Sequence, residues 1–274
     1  MSLFIVDEEK CGLCGVCVLA CPAGLVRIND GQPVPVPVDG ADEACFDCGH
    51  CVAACPNGAL SHKNATPEQC LPIRKDLRVG PDQVGQLMRS RRSIRNYKKR
   101  AVARKTISEL LDIARFAPSG CNSQPVHWMV VHDTNQVLRI AGMVADGLRD
   151  MIERTPGLAI RDVLQRLVKA WDGGADIVSR GAPHLIIAHA PQANPMAPAA
   201  CTIAQTYLEL AASAFGLGAC WVGLVDMTAN TWPPLRRFLE LPEGHVVLGT
   251  MAVGHPKFDY ARIPPRHALR VIWR

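Results

Sequence analysis

The apolar positions of this chain follow two rhythms. From Thr106-Ile107-Ser108-Glu109, which reads as a capping box, Ile107, Leu110, Leu111 and Ala114 recur at helical spacing until Phe116-Ala117-Pro118 stops the run. Ile160 to Trp171 carries an amphipathic helical pattern. Cys201 to Phe215 is apolar nearly all round, as expected of a helix buried at the centre of a domain and ended by Gly216 and Gly218. Four shorter apolar runs are bounded by breakers and predict strands: His127–Val131, Leu185–Ala188, Val246–Val253 and Leu269–Trp273. The stretch 140–182 contributes the Ile160–Trp171 helix and is a candidate cover over a site.

Ahead of this alternation the pattern changes. Pro33-Val34-Pro35-Val36-Pro37-Val38 permits only an extended, edge-like path. Pro67, Pro72, Gly80 and Pro81 break any regular element over residues 66–82. The expected organisation is a small module at 1–65, a linker at 66–82 and a cored domain at 83–274, which suits a length of 274 residues.

The small module holds the strongest signal. Eight of the twelve cysteines form two copies of one spacing, Cys11-x2-Cys14-x2-Cys17-x3-Cys21-Pro22 and Cys45-x2-Cys48-x2-Cys51-x3-Cys55-Pro56, 34 residues apart. Thiolate is the soft ligand iron prefers; a three-cysteine run wraps one cubane, and the cysteine before proline reaches the other cluster. Two 4Fe-4S clusters follow, one on Cys11, Cys14, Cys17 and Cys55, its partner on Cys45, Cys48, Cys51 and Cys21. Structural zinc needs only four ligands per site and leaves the repeated fourth cysteine and its proline unexplained; a disulfide framework explains them no better. The first sixty or so residues resemble bacterial two-cluster ferredoxins, down to Pro22-Ala23-Gly24-Leu25 answering Pro56-Asn57-Gly58-Ala59-Leu60.

Charge divides the chain in the same place. The net +5 conceals eight acids against three bases in residues 1–65 and seventeen acids against twenty-seven bases in 66–274. The acidic module is suited to docking on the larger part or to facing a redox partner. The arginines are scattered without a recognition motif, so no nucleic-acid partner is expected. The acidic Met1–Glu9 lacks a basic leader, and no apolar run approaches bilayer length; the chain is expected in the reducing cytoplasm, away from the membrane.

Four pieces of the larger part make sense together as a site for a phosphorylated flavin. Ser90 to Tyr97 offers guanidinium forks and a hydroxyl at close spacing, suited to phosphate. Ala117 to Pro125 is a polar loop of small residues between a helix and a strand. Gly216 to Gly223 turns the chain after the buried helix. Gly254-His255-Pro256 and Arg262 to Arg266 follow near the C-terminus. Taken alone, Arg91-Arg92 reads by default as a solvated surface, and Cys70, Cys121, Cys201 and Cys220 read most simply as buried small hydrophobes. The nine histidines are dispersed without metal-ligand spacing.

In order and spacing these pieces resemble the nitroreductase family of FMN enzymes over about residues 83–274, and the added ferredoxin module resembles one branch of it. The resemblance implies a nitroreductase-like α+β domain, with helices around a small mixed or antiparallel sheet, preceded by a ferredoxin-like two-cluster module. It implies FMN contacts from Arg91, Arg92, Ser93 and Arg95, and from a loop, Pro118, Ser119, Gly120 and Asn122, that reaches the neighbouring subunit's flavin. Cys220, Trp221, Val222 and Gly223 match the segment beside the reactive flavin nitrogen, and Arg266 a basic residue on the phosphate. Where the family often has Trp after Gln-Pro, Val126 stands here and Trp128 follows. A homodimer with FMN at the interface is therefore expected, using no catalytic side chain. The expected reaction takes low-potential electrons from a ferredoxin- or flavodoxin-type donor through the clusters to FMN and reduces an electron-poor small molecule, a nitroaromatic or quinone. Dehalogenation, reduction of an activated double bond, and relay to a protein acceptor are the alternatives. No Gly-x-Gly-x-x-Gly follows a strand, so a dedicated Rossmann site for NAD(P)H is not expected, while the family resemblance leaves open NAD(P)H stacking directly on FMN.

Overall fold

The computed structural model describes residues 2–274 and divides into two units, one comprising the chain up to Arg78 with Cys121–Ser123, the other Val79–Gly120 and Gln124–Arg274.

The smaller unit is built from very short elements: β1 Phe4–Val6, α1 Val16–Ala20, β2 Val26–Arg27, β3 Val36–Pro37, α2 Ala41–Ala44, α3 His50–Ala53 and β4 Leu60–His62. β1 pairs antiparallel with β4, and β2 with β3, which puts the proline-valine segment in a two-residue ladder. Leu3, Phe4, Val26, Val52 and Leu60 form its core, with Cys17 buried among them. Gly15 and Gly49, at φ 70° and 68°, precede α1 and α3 in the two halves, a left-handed turn that glycine adopts without a side-chain clash.

The larger unit begins with α4 Pro81–Ser90 and α5 Arg104–Ala114. Pro81 opens α4, where its missing N–H costs nothing. α5 starts at Arg104, capped by Ala103 without a side-chain bond, so Thr106 lies in its first turn and the expected capping box does not form. There follow β5 His127–Val131, α6 Thr134–Arg154, α7 Arg161–Asp172, β6 His184–Pro191, α8 Ala197–Ala214, β7 Gly218–Trp221, α9 Gly223–Thr231, α10 Pro233–Phe238 and β8 His245–Gly254. The sheet runs β5-β6-β8-β7, all pairs antiparallel. Both faces are covered: α6 packs Ile140, Val144 and Leu148 against Leu185 and Ile187, while α5 and α8 bring Ile107, Leu110 and Leu208 to Ile186, Met251 and Val253. A strand enclosed on two sides buries both of its faces, which is why Leu185–Ala188 of β6 reads as an unbroken apolar run.

Two further expectations change. Residues 140–182 hold most of a second helix, α6, whose first N–H groups are capped by the Asp133 carboxylate accepting from Asn135 N at 2.8 Å. Leu269–Trp273 is not a strand; no ladder partner meets it, and Leu269, Ile272 and Trp273 stay exposed.

Candidate functional site

In the smaller unit the two halves interleave their cysteines. Cys11, Cys14, Cys17 and Cys55 line one small cavity together with Gly15 and Pro56. The thiols that bear electrostatically on Cys17 are Cys55 and Cys11, and those that bear on Cys51 are Cys48 and Cys21. The fold thus brings together the two sets expected from the spacing. Burial pushes the Cys17 and Cys45 thiols up, and Cys51 up to about 11, so thiolates form there when a cation replaces the proton. Backbone N–H groups already aim at sulfur: Leu25 donates to Cys21 Sγ and Ala59 to Cys55 Sγ, both at 3.2 Å.

In the larger unit β7 collects the distant pieces. Ile94 N–H donates to the Ala219 carbonyl at 3.0 Å, and Ser93 forms a parallel bridge to Ala219, so the arginine segment lies along the strand of Cys220. A side chain at Gly218 would meet Ile94 at 2.5 Å; this close approach is what a glycine permits there. Tyr97 pins the segment by donating its hydroxyl to the Ile94 carbonyl at 2.6 Å, and burial raises its pKa. Lys98 N–H donates to the His255 carbonyl at 2.8 Å and Lys257 N–H to that of Asn96 at 2.9 Å, which adds the Gly254–Pro256 piece.

Two cavities flank Ile94. One, of about 190 Å³, is lined by Arg95, Ser179, Arg180 and Cys220 to Leu224; the other, of about 250 Å³, by Arg91, Arg92, Glu209, Gly216 and Tyr260. Together they reach the range of a small-molecule site, about 300–1,000 Å³. The donor set fits a phosphorylated planar group: Arg91 and Arg92 line one cavity, Arg95 and Arg180 line the other beside apolar Val222 and Leu224, Ile94 borders both, and open space lies above Gly223 at the start of α9. Burial pushes the Cys220 thiol up, with Arg95 and Arg180 opposing, so it stands as a neutral wall.

Several participants were not legible in the sequence. Arg91 forms an ion pair with the buried Glu209 carboxylate of α8 at 2.6 Å, and Arg92 stacks over the Tyr260 ring at 5.9 Å. Arg180, at φ 54°, is presented by a turn around Asp176, whose carboxylate accepts from Ser179 N–H at 2.8 Å and Gly181 N–H at 2.8 Å. Burial raises the Asp176 pKa, but the Ser179 hydroxyl donating to the same carboxylate, together with these backbone bonds, outweighs it and holds it below the usual carboxylate range. The Asp176-x2-Ser179 turn before β6 was the available signal.

The remaining expected residues lie elsewhere. Pro118, Ser119, Gly120 and Asn122 line neither cavity. Gly120 abuts Met196, Ser119 Oγ accepts from Gln124 N–H at 2.9 Å, and Asn122 Nδ2 donates to the Phe46 and Asp47 carbonyls at 3.2 and 3.0 Å. Arg266 is exposed in the C-terminal stretch and lines neither cavity.

Comparison with known proteins agrees with both units. The nitroreductase family model matches residues 88–255, and a 4Fe-4S dicluster domain model residues 10–60. A Methanothermobacter thermautotrophicus protein provisionally named NADH dehydrogenase/NAD(P)H nitroreductase is 25% identical over 186 residues, 66% of this chain and 81% of its own length. Iodotyrosine deiodinase of Danio rerio is 28% identical over 190 residues, 65% of this chain and 61% of its own. The crystal structure of a nitroreductase with bound FMN from Bacteroides fragilis shares the fold, with TM-score 0.57 and 20% identity over 70% of this chain and 99% of that one.

Proposed function

Because the chain belongs to the nitroreductase family and carries a 4Fe-4S dicluster domain at residues 10–60, we propose that it is an FMN-dependent reductase. It takes low-potential electrons from a ferredoxin- or flavodoxin-type donor through two 4Fe-4S clusters and reduces an electron-poor small molecule, a nitroaromatic or quinone. When bound, FMN accepts electrons singly or in pairs and passes a hydride to an acceptor. The carrying observation is the convergence of Arg91, Arg92, Arg95 and Arg180 with Cys220–Gly223 on two adjoining cavities.

Each residue then has a physical task. Arg91 and Arg92 supply charge for a phosphate, with Glu209 fixing the Arg91 fork. Arg95 and Arg180 place positive charge at the polar edge of a heterocycle, and Ile94, Val222 and Leu224 exclude water from its faces. Cys220 to Gly223 offer backbone rather than acid or base groups, in keeping with chemistry that needs no catalytic side chain.

A homodimer completes the reading. Pro118, Ser119 and Gly120 line neither cavity of their own unit, and the apolar Leu269, Ile272 and Trp273 are exposed on a single chain; both features suit contribution to a second copy. Among the described residues no helix is long and apolar enough to cross a membrane. A dehalogenating reaction is the second reading, favoured by the likeness to iodotyrosine deiodinase.

The test is steady-state turnover of anaerobically purified protein with a reduced ferredoxin-type donor. Reduction of nitroaromatics or quinones is the expected result. Turnover of halogenated phenols alone supports the second reading, and reduction of only a protein acceptor contradicts both.

A further inference from the structure

The two halves of the cysteine repeat are alike in backbone as well as spacing. Leu13 and Asp47 share positive φ, 48° and 51°, and so do Gly24 and Gly58, at 64° and 60°. They part company beside the first cysteine of each run. Around Cys45 stand Asp47, whose N–H donates to Cys45 Sγ at 3.4 Å, and His62, whose Nε2 lies 3.5 Å from the same sulfur. The residues 34 positions earlier are Leu13 and Ile28, which offer no polar side chain.

His62 is a fixed group. It ends β4, pairs across to Phe4, and is only 5% exposed. Its backbone is held on the other side by Ala65, with His62 N–H donating to the Ala65 carbonyl at 2.8 Å. Its Nδ1 accepts the Asn64 N–H at 3.1 Å, which leaves the ring proton on Nε2. That N–H sits between Cys45 Sγ and an Asp47 carboxylate oxygen, each at 3.5 Å. Cys45, Asp47 and His62 bring three ligand-type atoms within 4.8 Å of one another, the arrangement of a separate cation site. Cys45, however, belongs to the iron-binding run, so its sulfur is already committed and the other two side chains act upon it.

We infer that His62 tunes the cluster anchored by Cys45, raising its reduction potential by donating its Nε2–H to the cysteine sulfur, while Asp47 opposes it by drawing on the same N–H. The inference rests on the two-cluster reading above. Reduction adds one electron from the external donor and makes the cluster more negative; no bond is made or broken, and the proton stays on the imidazole. A hydrogen bond that withdraws charge from a thiolate ligand favours the more negative state. Because only one half of the repeat has this imidazole, the two clusters differ in potential, which gives the electron path a direction built into the sequence asymmetry.

The test is an EPR-monitored redox titration of the full chain, purified without air, at one fixed pH. His62→Leu should lower one of the two midpoint potentials by about tenfold in the equilibrium constant, ~59 mV for a one-electron couple, and leave the other in place. His62→Gln, which keeps an N–H donor, should recover part of the shift, and Asp47→Asn should move the same potential upward. In wild-type protein labelled with 15N-histidine, pulsed EPR of the reduced state should detect a histidine nitrogen coupled to one cluster, and His62→Gln should remove it. Should His62→Leu fail to assemble its clusters, Asp47→Asn and the labelled wild type decide the matter. Unmoved potentials in variants of full iron content, or no histidine coupling in the wild type, overturn the role of His62. Iron analysis of the same wild-type samples separates the two levels, since only absent clusters contradict the two-cluster reading.

Discussion

In the smaller unit the longest strands have three residues, whereas in the larger one β8 runs for ten and lies at the centre of a sheet covered on both faces. The smaller unit has few apolar side chains to bury and, on the two-cluster reading, draws its order from eight thiols and what they bind. The larger unit is held by its core, and its site is a by-product of where that core places β7. Cofactor and fold are thus coupled on one side and separable on the other.

Iron removal breaks this comparison most severely. Chelation under reducing conditions should abolish amide-exchange protection over 16–62 while β5 to β8 keep theirs. Retained protection in the smaller unit would show that its core suffices without metal. Next comes the contrast between two arginines. Arg91→Ala leaves the buried Glu209 carboxylate without its partner and should cost about 3 kcal/mol in denaturant unfolding of the larger unit. Arg95, exposed and bonded only to the Ser93 carbonyl at 3.5 Å, should lose flavin affinity by about 1.5–3 kcal/mol when changed to Ala, with stability unchanged. Equal stability loss in both variants would erase the distinction.

An effect absent at neutral pH sharpens the core side. His184 Nε2 accepts the Val102 N–H at 2.8 Å and its Nδ1 donates to the His132 carbonyl at 2.8 Å, so the ring must stay neutral. Burial lowers its pKa from 6.5 to about 4, with the neighbouring His132 ring adding to the effect. The unfolded chain therefore binds the proton more tightly; stability is full above pH 6.5 and falls as pH drops toward 4. His184→Gln should flatten that slope in denaturant titrations across the same range.

What the sequence disclosed follows the same division. The 4Fe-4S dicluster domain matched over residues 10–60 is written in local spacing, so it could be read directly from the cysteine repeat. β5 was read at its observed bounds, and β6 and β8 within theirs, because enclosed strands are continuous apolar runs. α6 escaped notice although Val137, Ile140, Val144 and Leu148 keep helical spacing. Gly142 and Gly147 interrupt it, and Gly147 is there because a side chain would meet Thr228 of α9 at 2.4 Å, a packing demand invisible along the chain. Glu209 and Arg180 escaped for the same reason: their partners are brought to them by tertiary structure. His127, His189 and His245, distant in sequence, lie with ring centroids 4.9 to 5.6 Å apart at one end of the sheet, where antiparallel pairing alone gathers them.

The central claim, that the clusters feed the flavin, is tested most directly by anaerobic stopped-flow reduction with a reduced ferredoxin-type donor, comparing the wild type with a Cys14→Ala, Cys48→Ala variant. The account predicts that the wild-type flavin band bleaches after the cluster absorbance, and that the variant's flavin, though still reducible by dithionite, is left oxidised by the protein donor. Equal flavin reduction rates in the two proteins would contradict it.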